Sequence, residues 1–102
     1  MQNITLQSIP SQVAIVTLDG ARYEITIKDA DGFMVCGIVR DGVVILEPGF
    51  RIVNGAPLIP YRYLESGNFA FDIPEDEKPN YEQFNVTQFL VYASPEELES
   101  IR

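Results

Sequence analysis

The sequence predicts an all-β fold, a small antiparallel β-barrel or sandwich of about seven or eight strands with a short C-terminal helix. Three observations carry this. Asp-Gly occurs three times between residues 19 and 42, each time beside an apolar β-branched run. The residues after the first of them alternate apolar and polar with period two, as a half-buried strand does. Only one segment, beginning at Ser94, has the signature of a helix start.

The first strand of the meander is the apolar run Val13 to Leu18. Asp19-Gly20 interrupts it, and Tyr23, Ile25 and Ile27 then alternate with Glu24, Thr26 and Lys28. Two strand-like runs joined by Asp-Gly form a strong hairpin signal, since a tight hairpin turn needs positive φ. Asp29-Ala30-Asp31-Gly32 leads into a strand from Phe33 to Val39, and Asp41-Gly42 returns it as Val43 to Leu46. Glu47-Pro48-Gly49 reads as a turn before a short strand, Phe50 to Val53. Asn54-Gly55 is a further hairpin-type turn. Pro60 cannot donate to a ladder, so Leu58 to Leu64 is an edge strand or extended segment.

After Ser66-Gly67-Asn68 the alternation of Phe69, Phe71 and Ile73 places both phenylalanines on one sheet face. Residues 74 to 82 hold two prolines and four acids and read as an exposed loop. A strand is expected from Asn85 to Ala93, with cover on both faces by the core or by a partner. Ser94 is an N-cap, Pro95 suits the first helical position, and Glu97 completes a capping box, so residues 94 to 102 form a short terminal helix. At this length, 1–102 is expected to be a single β-rich domain.

The chain has 102 residues, 46% hydrophobic, with a formal net charge of -8 and no histidine. That removes the commonest general base, metal ligand and pH switch together. The negative balance argues against a nucleic-acid groove, which needs Lys and Arg against phosphates. The acids are unevenly spread: up to Leu64 there are six acids and five bases, beyond it nine acids and two bases. No enzymatic activity, cofactor or metal is therefore expected, and an interaction or assembly module is favoured.

The remaining chemistry has plain explanations. Cys36 is the single cysteine and lies in an apolar run, as a buried structural thiol does. Asp29-Ala30-Asp31-Gly32 resembles the opening of a calcium loop, but strands rather than helices flank it and no closing Glu follows. Glu75, Asp76 and Glu77 are adjacent acids on an irregular loop, where solvated carboxylates are the rule. An acid-catalysed hydrolase would need two such groups held across a cleft. Tyr61-Arg62-Tyr63 has the composition of an interface hot spot, and also of an ordinary core cover with its arginine in water. Met1-Gln2-Asn3-Ile4 lacks the basic start of a signal peptide, and no apolar run is long enough to span a bilayer, so a reducing cytoplasm is the expected site of folding.

Four stretches carry a family resemblance: Ile9-Pro10-Ser11-Gln12 with Thr17-Leu18-Asp19-Gly20 and Tyr23-Glu24-Ile25; the run Val53 to Leu64; Gly67-Asn68-Phe69-Ala70-Phe71; and the run Phe84 to Tyr92. With these the chain resembles the small baseplate plug proteins of contractile-tailed bacteriophages, of the minimal cyanophage type. The resemblance implies a structural virion protein of the tail baseplate, assembled in the host cytoplasm. It would be a hub component at the junction of tail tube and spike. The implied partners are the hub, the tube end and the spike, with no membrane and no specific nucleic-acid binding. A homo-oligomer is implied, with a trimer the natural form in that setting. Tyr61, Arg62, Tyr63, Phe89 and Tyr92 lie in the best-matching stretches and are the expected packing or subunit-contact residues. In a ring, Glu75, Asp76 and Glu77 would face the lumen and repel DNA. The rival reading is a stand-alone β-barrel adaptor that presents residues 61 to 64 to a peptide or protein.

Overall fold

The computed structural model describes residues 2–55, 57–59 and 67–100, with the side chains of Glu99 and Ser100 left aside. Among the described residues seven strands form two antiparallel sheets. Strands β2 (Ser11–Leu18), β3 (Ala21–Asp29), β4 (Met34–Arg40) and β5 (Val43–Arg51) are a four-stranded meander. The second sheet sets β7 (Phe89–Ala93) between β1 (Gln2–Ile4) and β6 (Asn68–Asp72). The first and last strands thus pair, Ile4 opposite Leu90. Among the described residues the sheets do not close into a barrel, which removes that half of the expected architecture. Closure needs regular edges to join, whereas β1 spans three residues and β5 is interrupted by two register shifts.

The hairpin turns are where the Asp-Gly pairs place them. Asp19 and Gly20 have φ of 49° and 78°, and Asp41 and Gly42 have 50° and 82°. Each pair joins strands whose flanking residues face each other, Leu18 with Ala21 and Arg40 with Val43. This is the two-residue hairpin that matches the strand twist. Asp41 does more than turn: its Oδ1 accepts from the Arg22 amide at 2.9 Å.

Two boundaries differ most from the sequence expectation. Glu47-Pro48-Gly49 does not end a strand but lies inside β5. Ile38 faces Leu46 and Cys36 faces Phe50, so four steps along β5 span two along β4. The bulge accommodates a proline without a ladder donor. It brings Pro48 so near β4 that a Cβ on Gly37 would lie 2.8 Å from the Pro48 backbone. At the other boundary, β7 begins at Phe89 and not at Asn85. Asn85 has φ of 64°, and its amide bonds the Gln88 carbonyl at 2.7 Å, so residues 85–88 are a turn. The C-terminal helix, α1 (Pro95–Ser100), starts as expected. The Glu97 amide donates to Ser94 Oγ at 3.2 Å, and the Ser94 amide to Glu97 Oε1 at 3.1 Å.

One core fills the space between the sheets. The period-two residues Tyr23, Ile25 and Ile27 of β3 supply one wall, with Met34, Cys36 and Ile38 of β4 beside them. Phe69, Phe71, Leu90 and Tyr92 supply the other. The Tyr23 and Phe69 rings meet edge to face across the sheets at 5.1 Å, and Phe69 and Tyr92 lie at 5.0 Å. Burying each such ring stabilises the fold by roughly 1.5–3 kcal/mol.

Candidate functional site

The expected contact residues fall in three places. Tyr61, Arg62 and Tyr63 lie outside the described residues. Phe89 opens β7 with its side chain half-buried. Tyr92, three residues along the same strand, belongs wholly to the core, at 3% exposure. Period two sends positions 89 and 92 to opposite faces of the sheet, so a single contact surface does not hold both. The Tyr92 hydroxyl donates to Asp19 Oδ2 at 2.6 Å, and burial, followed by this bond, raises its pKa well above the ordinary tyrosine range.

The acidic loop also divides. Glu75 and Asp76 are exposed, whereas Glu77 is half-buried. Glu77 Oε1 accepts from Thr87 Oγ1 at 2.6 Å and from Gln88 Nε2 at 3.1 Å. It is a tether, not a free solvated acid. Gln88 is the buried polar residue at the centre of this arrangement, with no exposed surface. Its Nε2 also donates to the Lys78 carbonyl at 2.8 Å, and its Oε1 accepts from the Asn80 amide at 3.0 Å. One side chain thus holds residues 77, 78 and 80 against the start of β7. A buried amide needs such partners to offset its lost hydration.

Two asparagines do comparable work. Asn68 accepts from the Ile59 amide at 2.8 Å and donates to the Ile59 carbonyl at 3.2 Å. Asn85 bonds both main-chain groups of Leu6 in the same manner. Each amide side chain imitates one rung of a β-ladder for a distant residue. Sequence reasoning missed Gln88, Asn68 and Asn85; the only local signal was an isolated amide beside an apolar run.

The turn at Asp29-Ala30-Asp31-Gly32 joins two strands, with the Ala30 amide bonding the Phe33 carbonyl at 2.7 Å. Among the described residues no group of three or more acids or thiols is placed to hold a metal ion. Cys36 is buried among the core residues, and burial pushes its thiol pKa up to about 12. A depression of about 760 Å³ on the outer face of the meander is lined by Lys28, Phe33, Val35 and Pro48 among others, mostly apolar in character. Arg51 stacks over the Phe33 ring at 5.1 Å nearby.

In the described residues, then, the buried polar groups named above serve the scaffold, and the shifted thiol is an inert core group. This is a small all-β domain. The particular family follows from comparison with known proteins: residues 1–96 match the family model described as the cyanophage baseplate plug of Pam3, gp18, and the chain belongs to that family. Membership indicates a structural role in the tail baseplate of a phage particle. No curated protein matches the chain.

Proposed function

We propose that the chain is a non-catalytic assembly subunit at the axis of the baseplate, joining the end of the tail tube to the hub and spike. The observation that carries this is the match of residues 1–96 to a baseplate plug family. A plug must hold its shape, and the amide rungs of Asn68 and Asn85 and the buried Gln88 suit that task. The chain works as one β-rich domain over 1–102, folds in the host cytoplasm and enters the particle as a homo-oligomer. Its contacts with hub, tube end and spike use Tyr61, Arg62, Tyr63 and Phe89, while Tyr92 serves by packing. Glu75 and Asp76, with Glu77 behind them, face the central passage and repel the phosphates of passing DNA.

Cross-linking of purified particles through the amines of Lys28 and Lys78, followed by mass spectrometry, tests the placement. Links to the tube end, hub or spike are expected. Absence of the chain from particles, or links confined to the capsid, would sink the proposal.

A further inference from the structure

The two sheets have four edges, and three are blunted. β1 has only three residues. The outer side of β6 is already used, since the Gly55 amide bonds the Phe71 carbonyl and the Leu58 amide the Phe69 carbonyl, both at 2.9 Å. β5 carries Pro48 and its two register shifts. β2 differs: Ser11–Leu18 has eight residues with no charge, proline or glycine, and among the described residues it pairs on one side only. A long, regular, uncharged edge is what a protein avoids unless another strand covers it.

We propose that a second copy of this chain covers it, by pairing its own β2 antiparallel to this one about a two-fold axis at Ala14. The ladder alternation, counted from the Leu18–Ala21 pair, directs the N–H and C=O groups of Ser11, Val13, Ile15 and Thr17 away from β3. The bond from the Asp29 amide to the Pro10 carbonyl, at 2.7 Å, confirms that even-numbered positions face β3. An axis at Ala14 places Val13 opposite the partner's Ile15 and Ser11 opposite the partner's Thr17. Apolar meets apolar, hydroxyl meets hydroxyl, and all four outward residues find main-chain partners.

Burial points the same way. Val13 and Ile15 are 58% and 56% exposed, and Ala14 and Val16 on the inner face are only partly covered by the core. A depression of about 360 Å³ is lined by Gln12 to Val16 of β2 together with Thr5, Gln7 and Ile9. The Gln12 side chain holds the residue 7 segment by donating to the Gln7 carbonyl at 2.6 Å. Two chains of net charge -8 repel, so an uncharged contact is where they can meet. A strand pair of this length buries on the order of 1,000 Å² in total, the lower end of a specific interface. The contact is two-fold, so it pairs copies and does not by itself close the trimer that a hub setting suggests. It is independent of the baseplate reading, because the isolated chain shows or lacks it whatever the particle contains.

Sedimentation equilibrium of the full chain from low to high micromolar concentration tests this. A dimer is expected, tightening with added salt as the like charges are screened. Ile15→Lys should weaken it by about tenfold or more, with an unchanged circular dichroism spectrum, because each copy then sets a charge opposite the partner's apolar Val13. Ala14→Cys provides a second readout, since two such thiols face each other at the axis and should form an intermolecular disulfide under mild oxidation. A chain monomeric throughout the range, a trimer, a dimer indifferent to Ile15→Lys, or an Ala14→Cys variant that stays uncross-linked would each overturn the proposal.

Discussion

The hydroxyl of Tyr92 donates a 2.6 Å hydrogen bond to Oδ2 of Asp19, joining the central strand of one sheet to the first hairpin turn of the other. Asp19 therefore has two tasks. Its backbone makes the turn at positive φ, and its carboxylate anchors that turn to β7. Tyr92→Phe keeps the ring contacts with Phe69 and Tyr23 and removes only the anchor. Because Asp19 is exposed and regains water, the expected loss is about 1 kcal/mol, read as a lower urea midpoint with an unchanged slope. Tyr92→Ala should cost about 3–5 kcal/mol, since the ring goes as well.

Alkaline pH should destabilise the fold through Cys36. Below its ordinary value of 9.0 the thiol is protonated both folded and unfolded, and the full stability is present. Above 9.0 the unfolded chain releases the proton while the folded chain holds it until about 12, so stability falls across that window. One proton corresponds to a slope of about 1.4 kcal/mol per pH unit. Tyr92, whose pKa is also raised, adds a loss of the same sign above the ordinary tyrosine value of 10.0. Urea titrations at several pH values on wild type and Cys36→Ala should show the variant with the flatter profile between 9 and 10. Equal slopes would mean that the thiol is not held protonated.

Gln88→Ala should release the acidic loop. Truncation leaves the Asn80 amide and the Lys78 carbonyl without their partner, at a cost of about 1–3 kcal/mol. Faster proteolytic cleavage between Pro74 and Tyr81 is the expected readout, alongside a lower melting temperature.

Gly37→Ala tests the bulge. A methyl group there meets the Pro48 backbone at 2.8 Å, and main chain yields poorly, so a loss of about 1–3 kcal/mol is expected. Hydrogen exchange should quicken along β4 and β5 more than along β6 and β7.

These predictions mark what was legible in the sequence. Asp19-Gly20, Asp41-Gly42 and the cap at Ser94 are local devices, and local chemistry suffices to read them. The inward faces of β3 and β6 were legible too, because period two is written into Tyr23, Ile25 and Ile27 and into Phe69, Phe71 and Ile73. Other features depend on distant neighbours. Whether Pro48-Gly49 ends a strand or bulges depends on the space that Gly37 leaves on the adjacent strand. The tasks of Glu77 and Tyr92 depend on Gln88 and Asp19, and no spacing rule links residues 19 and 92. Open sheets and a closed barrel share one alternation pattern and differ only in which edges pair. The segment Tyr61 to Tyr63, the strongest compositional interface signal, lies outside the described residues.

Electron cryomicroscopy of intact particles tests the central claim most directly, by locating this fold within the baseplate. The account predicts density for the two-sheet domain on the tail axis, between the last ring of the tube and the spike, with Glu75 and Asp76 turned toward the passage. Density for the domain at the baseplate periphery, or none anywhere in the tail, would contradict it.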